Sequence, residues 1–157
     1  MSGRITNIRN MKNHIYVLPR YQFKEELVKL SEQQFMSGAF ISIHDPELDS
    51  IIDPGPNVLN LWFHDTDPDD DSAKFDMDSI YGDETIHFDD VMAKQIFEFV
   101  EKNRDAKFWF VHCTAGICRS GAVGEFLSEY FEIPYNLFKR DNPQIRPNIH
   151  VKKLLRR

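Results

Sequence analysis

Cysteine is scarce in this 157-residue chain, which has only Cys113 and Cys118, five positions apart. Two thiols so close in sequence build no disulfide framework, and a chain of this length, which buries roughly 70% of its unfolded surface, needs none. They suit a reducing compartment, and a cytoplasmic location is expected. Long apolar runs are missing as well. No stretch approaches the roughly 18 apolar residues of a membrane-spanning helix. The segment Met1 to Asn7 lacks the apolar core of a signal peptide, so none is expected. Positive charge is in deficit, with a formal net charge of -6. Nucleic acid or an anionic membrane calls for a basic surface, so neither is an expected partner. The six histidines, at 14, 44, 64, 87, 112 and 150, show no ligand spacing, and no metal site is expected.

What is present is ordinary globular composition, 41% hydrophobic and 28% charged, enriched in Phe at 13 residues. The length fits one domain spanning 1–157. Short strands are expected at Ile5 to Ile8, His14 to Leu18, Ala39 to Ile43 and Val58 to Phe63. Pro19 stops the second, and Asp53-Pro54-Gly55-Pro56 is a turn signal before the last. Phe23 to Leu30 reads as a short helix. Phe88, Val91, Met92, Ile96, Phe99 and Val100 recur at three- and four-residue spacing and define a second. Asp89 and Asp90 fall in its first turn, where the helix dipole favours negative charge. Lys107 to Val111 is nearly continuous in apolar residues, as a buried central strand is. A further helix starts near Arg119 with an apolar face of Val123, Phe126, Leu127, Tyr130 and Phe131. Two short helices, Asn136 to Arg140 and Asn148 to Leu155, close the chain, with Asn148 as a cap. Trp62 and Trp109 read as core. This order predicts an α/β fold, a central, mostly parallel sheet flanked by helices, in which ligands sit beyond the carboxyl ends of the strands.

One segment is biased. Residues 65–90 hold 11 acidic side chains against the single Lys74. Asp65-x-Asp67-x-Asp69 resembles the start of a calcium loop. Asp70 stands where the turn glycine belongs and Asp76 where the closing Glu belongs, so a solvated acidic loop is the better reading. The C-terminal stretch from Lys139 to Arg157 has the opposite bias, with seven basic residues and the one acid Asp141. It reads as a solvated helix face, attracted to the acidic segment.

The chemistry lies between the apolar strand and the helix at Arg119, in His112-Cys113-Thr114-Ala115-Gly116-Ile117-Cys118-Arg119-Ser120-Gly121. A loop that curls here turns its backbone N–H groups into an anion nest, reinforced by the positive end of the following helix. Gly116 allows an unusual turn. Arg119 returns across the mouth as a planar, two-pronged donor for phosphate oxygens. A thiol in such a nest ionises easily, because the nest prefers an anion.

The string His-Cys-x-x-Gly-x-x-Arg-Ser resembles the signature of the cysteine-dependent protein tyrosine phosphatase superfamily, in its compact dual-specificity-like branch. The resemblance is carried mainly by residues 55–157, including Arg146-Pro147-Asn148 before the final helix. It implies a phosphate-binding loop between strand and helix. It also implies roles: Cys113 as nucleophile, Arg119 as phosphoryl clamp, Ser120 as hydrogen-bond partner of the sulfur, and His112 as a positioning group. Thr114, Ala115, Gly116, Ile117 and Cys118 would line the substrate phosphate. Asp65, at the end of the strand Leu59 to Phe63, would be the general acid, with Asp67 the nearest competitor and Asp69 to Asp71 beyond it. The 48-residue separation between Asp65 and Cys113 is long for this branch, and the acidic segment reads as an insertion. No cofactor is implied, and the expected partner is a phosphoprotein or phosphopeptide substrate. Three other readings compete: a phosphatase for phosphoinositides or RNA 5′ ends, an arsenate reductase, and an inactive phosphopeptide-binding module. The first often has a cation inside the loop, and the second carries its loop near the N-terminus. Cys118 could also trap an oxidised Cys113 as a disulfide.

Overall fold

Among the described residues the segments rich in β-branched and aromatic residues form four strands: β1 (His14–Pro19), β2 (Gly38–His44), β3 (Val58–Trp62) and β4 (Phe108–Cys113). The structure, a computed structural model, describes residues 14–68 and 85–156. The expected strand at Ile5 to Ile8 and the carboxylates Asp69 to Asp71 lie outside the described residues. The strands form one sheet in the order β1-β4-β2-β3, and every pairing is parallel. The link from β3 to β4 therefore passes over β2, so the two strands are not neighbours.

Among the described residues six helices cover the sheet: α1 (Arg20–Lys29), α2 (Glu32–Ser37), α3 (Asp90–Lys102), α4 (Arg119–Tyr130), α5 (Tyr135–Asp141) and α6 (Ile149–Leu155). Asp89 is the cap of α3 rather than part of its first turn, and its side chain accepts from the Met92 N–H. Asn148 caps α6 through the Val151 N–H. The expected pattern had no place for α2. A capping box starts it, with the Ser31 hydroxyl accepting from Gln34 N–H and the Gln34 amide accepting from Ser31 N–H.

Strand alternation sends side chains to two separate cores. On one face Ile15, Val17, Ile41, Trp109 and Val111 pack with residues of α3, α4, α5 and α6. On the other, Tyr16, Leu18, Phe40, Phe108 and Phe110 pack against Phe23 of α1, with ring centroids of neighbouring pairs 5.0–6.4 Å apart. The Phe excess is divided between the two cores, with Phe23, Phe40, Phe108 and Phe110 buried in the second and Phe63, Phe88, Phe99 and Phe138 in the first, and each buried ring contributes about 1.5–3 kcal/mol.

Two expectations are corrected. Trp109 is fully buried, but Trp62 is 38% exposed. It stands on the last residue of an edge strand, where its indole N–H donates to Leu48 O at 3.0 Å and its ring lies against His44. The face expected for α4 also shifts. Val123 and Leu127 are buried, Phe126 and Phe131 are partly buried, and Tyr130 is exposed. What lets α4 sit close to the sheet is its small residues. A Cβ on Gly124 would lie 2.5 Å from Val17 Cγ2.

The outer edge of β1 is closed by the segment after α5. The Asn142 amide accepts from Val17 N–H at 2.7 Å and donates to Ile15 O at 2.8 Å, much as another strand would. Gln144 donates to Val17 O at 2.8 Å. Asn142 has no exposed surface. Asn142→Ala strands a buried N–H and a buried C=O, and is expected to lower unfolding stability by about 2–4 kcal/mol. Urea denaturation checks this, and a loss below about 1 kcal/mol would mean water replaces the amide.

Candidate active site

A parallel sheet places all its carboxyl ends on one side, and four chain segments emerge there together: Pro19-Arg20 from β1, Asp45 from β2, Phe63-His64-Asp65 from β3, and the loop from β4. Cys113 is the last residue of β4. Because β4 lies between β1 and β2, Cys113 is 2% exposed.

The loop from Thr114 to Cys118 is held from outside by its carbonyls. Thr114 O accepts from Arg20 N–H at 3.1 Å, and Gly116 O from the Gln144 amide at 3.1 Å. Ile117 O accepts from Arg146 N–H, and Cys118 O from Asn148 N–H, both at 2.9 Å. In a trans peptide the next N–H points opposite its carbonyl. The N–H groups of Ala115, Ile117, Cys118 and Arg119 therefore face away from these outer partners. Gly116 makes the curl possible. Its φ is 70°, and an added Cβ would lie 2.3 Å from Pro19 N.

Arg119 is nearly buried, and most of its guanidinium is already oriented. Nη1 pairs with Asp45 Oδ1 at 2.8 Å and donates to Phe63 O at 2.8 Å. Nη2 donates to Thr114 Oγ1 at 3.3 Å, and that hydroxyl donates to Asp45 Oδ2 at 3.0 Å. Nε–H and the second Nη2–H remain without a partner among the described residues. They are the donors a bidentate contact to an oxyanion uses. Sequence reasoning missed Asp45. Its signal was its place, the first residue after a strand at the edge where ligands gather.

Ser120, in the first turn of α4, places its Oγ 3.0 Å from Cys113 Sγ. His112 is fully buried on the α1 face, where the Phe23 ring lies 4.2 Å from it, centroid to centroid. Its Nδ1 donates to Cys113 O at 3.1 Å, and its Nε2 is hydrogen bonded to Ser42 Oγ.

Asp65 is exposed and lies beside the loop. Asn148 Nδ2 donates to Asp65 Oδ1 at 2.7 Å, and the Cys118 thiol is close enough to the same carboxylate to feel its charge. Burial and the Asp65 charge push the Cys118 pKa up to about 11. Both cysteines are free. A thiol held protonated in this way is a slow partner for disulfide capture. The acidic segment begins and ends at a fixed neck. His64 N–H donates to Ile86 O at 2.8 Å, Ile86 N–H donates to His64 Nδ1 at 3.0 Å, and Thr66 Oγ1 lies 2.6 Å from His87 Nδ1. The C-terminal cations Lys152 and Arg156 pair with Glu125, and Arg156 also with Glu129, both on α4.

No family model matches the chain, and no curated protein matches it.

Burial pushes the His112 pKa down from 6.5 to about 3, and also lowers that of His44, against the raising effect of Asn60. Both imidazoles are thus neutral in the folded chain, while the unfolded chain takes up protons first as pH falls. Stability is unaffected by these groups above pH 6.5 and declines as pH drops toward about 3. For His112 the slope is about 1.4 kcal/mol per pH unit, or about 2 kcal/mol lost by about pH 5. Urea unfolding across this range tests it. A His112→Asn variant with the same slope as wild type would assign the effect elsewhere.

Proposed function

We propose that this chain is a cysteine-dependent phosphomonoester hydrolase of the protein tyrosine or dual-specificity type, acting in the cytoplasm on a phosphoprotein. The observation that carries the reading is the loop whose carbonyls are turned outward. Its amides are left facing the space between the Cys113 thiol at one end and the Arg119 guanidinium at the other. Such a ring of N–H groups is a cradle for an oxyanion, and the start of α4 adds the positive end of its dipole.

The chemistry follows from the residues. Cys113 sulfur attacks phosphorus, and the P–O bond to the alcohol breaks. Asp65 gives its proton to the departing oxygen. Arg119, anchored through Nη1 by Asp45 and Phe63 O, offers its free Nε–H and Nη2–H to two phosphoryl oxygens. A water then attacks the phosphocysteine as Asp65 takes its proton, releasing phosphate and thiolate. The Ser120 hydroxyl, 3.0 Å from the sulfur, stabilises the thiolate as it leaves. The loop's variable positions Thr114, Ala115, Ile117 and Cys118 are uncharged, which suits a phosphorylated side chain of a protein.

A second reading has one observation in its favour. Arg20, beside Thr114, has no side-chain partner among the described residues, and its Nε is buried without a hydrogen bond. A substrate bearing a further phosphate, such as a phosphoinositide or an RNA 5′ end, would use it. Arg20→Ala separates the two. It raises KM for a doubly phosphorylated substrate alone if the second reading holds.

Turnover of p-nitrophenyl phosphate is the first test, and its absence would defeat the reading. Cys113→Ser is expected to lower kcat by roughly 10³-fold or more, since a hydroxyl is not ionised at neutral pH. Arg119→Lys should cost roughly 10²-fold, because a point charge does not replace the fork. Asp65→Asn should slow an alkyl phosphate by roughly 10²-fold and p-nitrophenyl phosphate far less, since a good leaving group needs little protonation. If Asp67→Asn does this instead, the acid is Asp67.

A further inference from the structure

We infer that Ser42, itself held by His44 and Asn60, is a positioning residue that fixes the tautomer of His112 and so the Cys113 end of the loop. The inference rests on the reading of Cys113 as nucleophile. His112, Ser42 and Asn60 lie in one row across three strands, since Ser42 is in register with His112 of β4 and with Asn60 of β3. All three side chains extend to the α1 face, and His44 stands two residues further along β2 on the same side. The row would otherwise be apolar, and its next member is Leu18 of β1.

The hydrogen bonds in this row run in one direction, and both ends establish it independently. At one end Asn60 Nδ2 donates to Ile52 O at 3.1 Å. Its Oδ1 must then be the atom 2.9 Å from His44 Nε2, so that nitrogen carries the proton. At the other end Cys113 O only accepts, so His112 Nδ1 carries the proton and Nε2 of the neutral ring is a bare acceptor. Ser42 meets both demands. It accepts from the His44 Nε2–H, a proton shared between Ser42 Oγ at 3.0 Å and Asn60 Oδ1 at 2.9 Å, and donates its own proton to His112 Nε2. The two histidines thus hold opposite tautomers.

A further fact agrees with this assignment. With its proton on Nε2, His44 has only a lone pair on Nδ1, and that buried atom is without a hydrogen-bond partner. A bare acceptor is tolerated there more easily than a charged N–H would be, in keeping with the burial that holds His44 neutral.

The consequence for the site is mechanical. A neutral imidazole free to choose its tautomer would place a lone pair against the Cys113 carbonyl for part of the time, and the two acceptors would repel. The Ser42 proton removes that choice. The peptide carrying the nucleophile is then held from the α1 side, while Ser120 holds the sulfur from the α4 side.

The test reads tautomers directly, by long-range proton–nitrogen correlation on protein labelled with ¹⁵N-histidine and without substrate. His112 is expected to carry its proton on Nδ1 and His44 on Nε2. A proton on His112 Nε2 overturns the inference, whether or not the protein turns over phosphate. Failure of phosphatase turnover in wild type strikes the proposed function and leaves this measurement to decide. In Ser42→Ala the Nδ1 preference of His112 should weaken, with the Nε2–H form becoming detectable, and kcat should fall about fivefold to tenfold with KM unchanged. Ser42→Thr, which keeps the hydroxyl, should retain both. A Ser42→Ala variant with the wild-type tautomer and kcat overturns the inference. So does a Ser42→Thr variant that loses as much as Ser42→Ala, since that would be a packing effect. If Ser42→Ala does not fold, the wild-type tautomers and Ser42→Thr still decide.

Discussion

Everything at the candidate site follows from β4 lying between β1 and β2, with all three running the same way. A central strand has no solvent on either face, so the chain leaving it at Cys113 has one way out, over the carboxyl edge. Pro19 and His44 end the flanking strands beside it. The loop must therefore turn within a space bounded by the α1 start and by Asp45. Gly116 approaches the Leu18–Pro19 backbone so closely that no side chain fits, and its positive φ then directs the chain back toward α4. The curl is imposed by these surroundings, and the loop's own sequence only permits it.

The two faces of the sheet divide the work. Sulfur, Ser120 and Arg119 belong to the α4 side, while the imidazoles and Ser42 belong to the α1 side. They meet at the His112–Cys113 peptide, because adjacent strand residues point to opposite faces. A third element, residues 142–148, serves both β1 and the loop. Asn142 and Gln144 fasten the strand, Gln144 and Arg146 fasten the loop, and Asn148 reaches the loop, Asp65 and its own helix. This short stretch makes the C-terminal helices part of the site without placing any of them over it.

The strands and the long helices were legible because each carries a strong period or a continuous apolar run, as in Phe108 to Val111. The place of the loop between β4 and α4 was legible because a continuous apolar strand and a periodic helix bracket it. Trp62 was misread because an aromatic in a β-rich segment gives no sign of whether its strand is central or at an edge; that depends on strand order. Helix α2 was missed because six residues carry too little periodicity, although Ser31 and Gln34 held the capping signal. Asp45, Ser42 and Asn142 were not found for one reason. Each acts on a residue at least 70 positions away in sequence, on Arg119, His112 and Val17, and only the register of the sheet brings such pairs together. The acidic segment is another case, since its neck at His64 and Ile86 depends on a 22-residue closure that composition does not reveal.

Asn142 has a consequence for the company this sheet keeps. A strand at the end of a sheet offers a row of open donors and acceptors, and those are the groups through which chains add to one another in swapped dimers and fibrils. On β1, the Val17 N–H and C=O and the Ile15 C=O are already taken by the side chains of Asn142 and Gln144. A neighbouring chain has nothing to pair with at the middle of that strand. The same amides that steady the approach to the loop after β4 thus also act as a stopper on lateral growth.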